Sequence, residues 1–143
     1  MQRVEQGLLL KFPRKNRLTK QYEFKAVFSS PHKILFKYLM IKYQFNQTTH
    51  SRLGIIIGKH FVHRATERNH IRRVLKESFR HQQELMKGLD IVVVMRSKCS
   101  PLREARLKKS RRKKVEGREA SNQILRNDVN NLWHHLLAAL KKV

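Results

Sequence analysis

Five consecutive apolar residues, Ile91-Val92-Val93-Val94-Met95, limit the folds open to this chain more than any other stretch. The run is too short for an ordinary helix and rich in β-branched residues, so it reads as a short buried strand. Upstream, Leu53-Gly54-Ile55-Ile56-Ile57-Gly58-Lys59 is a second β-rich run, and its two glycines let another surface approach the backbone closely. Between them lies a long helical pattern, capped by Thr66 and running to about Lys87 before Gly88. Ile71, Val74, Leu75, Phe79, Leu85 and Met86 form its apolar face. Strand, helix and strand in succession predict a βαβ unit with parallel strands.

The flanking segments extend this unit into a single domain over residues 1–143. Residues 1–18 look irregular, with Phe12-Pro13-Arg14-Lys15-Asn16-Arg17 as a basic lead-in. Thr19 is a suitable cap for a short helix whose Phe24, Val27 and Phe28 share one face, and Ser29-Ser30-Pro31 ends it. Residues 33–45 alternate as one strand, with Leu39, Ile41, Tyr43 and Phe45 on one side and Tyr38, Met40, Lys42 and Gln44 on the other. Asn46 to Ser51 form a polar turn. Apolar patterning fails near 97–119, where residues 103–114 hold eight Lys or Arg and one Glu, so a flexible basic linker is expected. Leu125, Val129, Leu132, Trp133, Leu136 and Leu140 then mark a C-terminal helix near 120–142 that docks on the sheet.

Charge narrows the partner. Lys and Arg total 33 against 10 Asp and Glu, a formal net charge of +23, while 40% of the residues are hydrophobic. A globular chain repelling itself this strongly is explained by a polyanion. A membrane-surface protein would concentrate its charge on one basic amphipathic helix. Here the bases are spread over several segments, which favours nucleic acid and argues against a membrane partner. No apolar stretch approaches the ~20 residues a membrane span needs. The start of the chain has too short an apolar run for a signal peptide, and Cys99 alone allows no intramolecular disulfide, so the cytosol is the expected location.

Catalytic and metal chemistry find little support. His60, His63, His70, His81, His134 and His135 lack the paired spacings of a zinc site, and no metal ligand set is assigned. No Gly-x-Ser-x-Gly, Walker loop or paired-carboxylate motif is present, and no catalytic side chain is expected. The sharpest local feature is the polar side of the long helix. An ordinary solvated helix face alternates charge signs, yet Asn69, Arg72, Arg73, Lys76 and Arg80 carry no acid among them, with Glu77 and Glu84 set to one side. Arg68 and Asn69 add donors near the helix N-terminus, where backbone N–H groups already favour phosphate. Phe24 and Phe28 can be core residues, or can join Tyr38, Met40 and Lys42 in an aromatic and basic groove suited to single-stranded RNA.

The stretch Arg64-Ala65-Thr66-Glu67-Arg68-Asn69-His70-Ile71-Arg72-Arg73-Val74-Leu75-Lys76-Glu77-Ser78-Phe79-Arg80 resembles the bacterial ribonuclease P protein family, which carries an "RNR" signature at the head of a long basic helix. The stretch is close to the gamma-proteobacterial form. Phe12-Pro13-Arg14 through Leu18, Glu23 to Phe28, Arg52 to Lys59, Asp90 to Val94 and Asn130-Asn131-Leu132-Trp133-His134-His135 match in order. His70 replaces the second arginine of the signature, and His60 the second lysine of the usual pair after the central strand. The resemblance implies an α/β (α+β) two-layer sandwich on a mixed sheet with a left-handed βαβ crossover, like certain ribosomal-protein and translation-factor domains. It implies a protein that joins a catalytic RNA in cleaving the 5′ leader from precursor tRNA, with Mg2+ held by the RNA and no cofactor on the protein. Carried over by position, Arg68, Asn69, His70, Arg72, Arg73, Lys76, Lys59 and His60 would contact the catalytic RNA. Phe24, Phe28, Tyr38, Met40 and Lys42 would line the leader cleft. Arg111, Arg112, Lys113 and Lys114 would add non-specific phosphate contacts, and no DNA partner is expected. The alternative is a ribosomal or other structural RNA-binding protein with no enzymatic association.

Overall fold

The computed structural model describes residues 14–98 and 111–141, with the side chains of 111–119 left aside. In chain order the elements are α1 (Gln21–Phe28), β1 (Lys33–Phe36), β2 (Leu39–Phe45), β3 (Arg52–Ile56), α2 (Ala65–Gln82), β4 (Leu89–Met95) and α3 (Arg111–Lys141). Single 3-10 turns occupy Arg14–Asn16 and Gln83–Met86. The sheet order is β1-β2-β4-β3, so the apolar strand β4 lies inside it, paired antiparallel to β2 and parallel to β3. The expected βαβ unit is therefore β3–α2–β4.

One face of the sheet carries the main core. Leu39, Ile41, Tyr43, Leu53, Ile91, Val93 and Met95 meet Ile71, Val74, Leu75 and Phe79 of α2 and Leu125, Val129, Leu132, Trp133 and Leu136 of α3. Trp133 is fully buried, its ring 5.9 Å from that of Phe79 where the two helices touch. Burying a side chain of this size contributes roughly 1.5–3 kcal/mol or more. The other face carries a smaller cluster in which Val27 of α1 is buried with Leu18 and Val92, with Phe24 and Val94 packed against them.

Several boundaries differ from the sequence expectation, each for a local reason. Residues 33–45 form a hairpin and not one strand: Phe36 pairs with Leu39, and Lys37 takes a left-handed φ of 53° to reverse the chain. The tight turn is held from outside itself. Arg96 donates from its backbone N–H to the Tyr38 carbonyl (2.9 Å) and from Nε to that of Lys37 (3.1 Å), and Asp128 of α3 takes Lys37 Nζ at 2.7 Å. Helix α1 begins one residue later than a Thr19 cap would set it. Glu23 Oε1 instead accepts the N–H groups of Lys20 (3.0 Å) and Thr19 (3.4 Å). Strand β3 stops at Ile56, and Gly58 enters a turn in which its carbonyl accepts from Phe61 and Val62.

Thr66 lies inside α2, whose N-cap is Arg64. The helix ends at Gln82 and tightens into the 3-10 turn. That tighter winding shifts the phase of the apolar stripe, so Met86 is buried while Leu85 is 65% exposed. Helix α3 starts at Arg111, so residues 111–119 are helical and not part of a flexible linker. The rest of that expected linker, residues 99–110, lies outside the described residues.

Candidate nucleic-acid interface

Helix α2 turns Ile71, Val74, Leu75 and Phe79 into the core, which forces its polar residues outward. Asn69, Arg72, Arg73, Lys76, Glu77 and Arg80 line an open depression of about 560 Å³. Glu77 therefore belongs to this surface and is not set aside from it. Its carboxylate is 3.8 Å from Arg80 Nη2, a loose (i, i+3) pair.

The N-terminal lead-in adds a cation that the helix pattern could not reveal. Arg17 bridges Leu53 in parallel register, and Leu18 N–H donates to the Leu53 carbonyl at 3.0 Å, so the lead-in lies along the outer edge of β3. This brings Arg17 beside α2. Partial burial pulls the Lys76 ammonium below its ordinary pKa, and the positive charges of Arg17 and Arg72 pull it further. Three cations from two segments are thus crowded together, at a place where a phosphate would relieve their repulsion.

The remaining residues expected on this surface play different parts. Arg68 donates from Nη1 to the carbonyls of Val62 and His63, both at 2.9 Å, and so braces the loop leading into α2. His70 is half-buried, with Nε2 shut from solvent and lacking a hydrogen bond, and does not line the depression. Lys59 and His60 are exposed in the loop after β3, where the His60 ring leans on Phe61 at 3.9 Å. Arg111, Arg112, Lys113 and Lys114 occupy the first turns of α3, and their side chains are among those left aside.

The second surface is the sheet face under α1. The helix crosses the strands along the row Gly54–Val92–Lys42, set by the pairing of β3, β4 and β2. Phe24 packs directly on Gly54: a Cβ there would stand 2.7 Å from Phe24 Cζ. Lys42 Nζ donates to the Phe28 carbonyl at 2.7 Å and fixes the far end of the helix over β2. The near end is tied by charge. Arg52 grips buried Asp90 with two hydrogen bonds, Nε to Oδ1 at 2.7 Å and Nη2 to Oδ2 at 2.6 Å, while its Nη1 pairs with Glu23. The hydrogen bonding it donates to Asp90 raises the guanidinium pKa above its already high value against the opposing cost of burial, so this cation stays charged.

Next to the row under α1 runs a second one, formed by Leu35, Met40, Val94 and Ile56 in register. Leu35 is 50% and Ile56 37% exposed, and Phe28 at the end of α1 is also 37% exposed. Met40, Lys42, Phe24 and Phe28 thus share this side of the sheet. Tyr38 does not. The hairpin turn places it on the opposite side, buried and bonded to Asp128, so it is no part of the cleft. Leu35, Ile56 and Val94 read in sequence as ordinary strand core; the register places them on this side of the sheet.

A mixed sheet carrying an outward cationic helix and an exposed apolar row defines an α+β protein with one basic and one apolar surface. The family model for ribonuclease P matches residues 12–119. The ribonuclease P protein component of Pseudomonas putida is 46% identical over 86 residues, 59% of this chain and 65% of that relative. That of Pseudomonas aeruginosa is 41% identical over 97 residues, 67% of this chain and 72% of that protein. The RNase P protein of Thermotoga maritima superposes with a TM-score of 0.52 at 28% identity, covering 78% of this chain and 96% of that one. The Staphylococcus aureus protein, at 19% identity, shares the fold with a TM-score of 0.64 over 85% of this chain and 94% of its own. The chain belongs to the ribonuclease P protein family.

Proposed function

We propose that this chain binds the RNA of ribonuclease P and helps it remove the 5′ leader from precursor tRNA. The observation that carries the proposal is the depression on α2 lined by Arg72, Arg73, Lys76 and Arg80, with the charge of Arg17 felt at Lys76, which favours a phosphate-rich partner. The open row beside Phe28 supports a companion role, because apolar and aromatic surface accepts unpaired bases of any sequence. Cleavage would then rest with the RNA. Among the described residues no three His, Cys, Asp or Glu side chains gather to hold a metal ion. The acids nearest the two basic faces, Glu23 and Glu77, are engaged by Arg52 and Arg80. On this reading any Mg2+ the reaction needs would be held by the RNA.

Reconstitution tests the proposal. Bacterial catalytic RNA and labelled precursor tRNA at low magnesium should release little leader alone and release it efficiently once this protein is added. Release by protein freed of RNA, surviving nuclease treatment and repurification, would overturn the assignment of chemistry to the RNA. No stimulation by the protein would overturn the function itself.

A further inference from the structure

We propose that Tyr22 is the stacking platform of a second subsite for single-stranded RNA, at the end of α1 away from Phe28. The inference rests on the RNA-binding function above but concerns a different surface. The Tyr22 ring is 66% exposed, the most exposed of the large hydrophobic side chains among the described residues. An isolated exposed aromatic would be unremarked surface. This one stands in a depression of about 540 Å³ lined with Arg14, Lys15, Arg17, Lys20, Glu23 and Arg52. Lys20 Nζ lies 5.7 Å from the ring centroid, a cation–π contact on a ring otherwise open to solvent.

Exposed cations of this depression can meet an anion. Its acid, Glu23, is spent on the α1 backbone and on Arg52. Arg52 is in turn held by Asp90. Arg14, Lys15 and Lys20 are exposed. Arg17 belongs to this depression and also stands beside Lys76, so the α2 face and the Tyr22 face are joined. A strand leaving the α2 surface can therefore set its phosphates on the lead-in cations and one base on Tyr22.

The probe is octa-adenylate, titrated into the full chain at salt high enough to suppress purely ionic binding, alongside a blunt RNA duplex of the same length. Tyr22→Ala should weaken octa-adenylate binding roughly ten-fold, and Tyr22→Phe should stay within about two-fold of the parent, because stacking needs the ring and not the hydroxyl. The duplex, whose bases are already stacked, should bind all three proteins alike. Equal affinity of Tyr22→Ala and the parent would overturn the subsite, as would an equal loss for the duplex or a matching loss in Tyr22→Phe. Emission from Trp133, the single tryptophan, reports folding, and a shift in Tyr22→Ala would make the ring structural and overturn the proposal too. A parent that binds octa-adenylate through Tyr22 yet stimulates no leader release would sink the ribonuclease P function and leave this subsite standing.

Discussion

Tyr38 donates its phenolic hydrogen to Asp128 Oδ2 at 2.8 Å across 90 residues of sequence, tying the β1–β2 turn to the middle of α3. Asp128 is almost wholly buried and takes Lys37 Nζ on its other oxygen. Tyr38→Phe leaves that buried carboxylate one donor short, which should cost about 1–3 kcal/mol in urea unfolding. Precursor tRNA affinity should not change. A loss of precursor affinity at unchanged stability would return Tyr38 to the cleft.

Gly54 and Phe24 share a second close relationship. A methyl group on Gly54 would meet Phe24 Cζ at 2.7 Å and Leu18 Cβ at 3.3 Å, displacing the ring and the helix that carries it. Gly54→Ala should destabilise the fold by roughly 1–3 kcal/mol, as overpacking does. Because the two sites touch, Phe24→Leu should recover part of that loss, and a double-mutant cycle measures the coupling. Strict additivity would mean that α1 moves freely over the sheet.

Lys76 should trade stability for binding. Its pKa is depressed in the folded protein, so the unfolded chain holds that proton more tightly. Stability then rises with pH through the window between the lowered value and the ordinary lysine value of 10.5. Lys76→Met should remove that alkaline rise and raise stability slightly at neutral pH, by no more than about 0.5 kcal/mol for a surface site. The same variant should flatten the log–log salt dependence of RNA binding by roughly 0.7–0.9, one phosphate contact. An unchanged slope would remove Lys76 from the RNA surface.

The two faces should separate by mutation. Arg72→Ala should weaken assembly with the catalytic RNA, with precursor binding recovered when protein is added in excess. Phe28→Ala, at a side chain 37% exposed, should leave assembly intact and lower the affinity for precursor relative to mature tRNA. The readout is that affinity ratio on assembled enzyme, with stacking worth on the order of 1–3 kcal/mol per base. A ratio altered by Arg72→Ala at normal assembly would exchange the two assignments.

Local pattern alone was enough for the parts whose physics is local. The apolar run of β4, the stripe of Ile71, Val74, Leu75 and Phe79, and the series from Leu125 to Leu136 all became core, because periodicity and burial are two views of one constraint. The cationic side of α2 followed, since burying one helix face exposes the other. What only the tertiary structure decided depends on contacts between distant residues. No glycine, asparagine or proline marks the turn at Lys37 and Tyr38; Arg96 and Asp128 hold it, and so move Tyr38 from a cleft to the core side. Arg17 joins Lys76 because the lead-in lies along β3, and Arg68 braces a loop because two carbonyls happen to face it. Charge type and spacing are written in the chain, but which charges meet is set by how its segments pack.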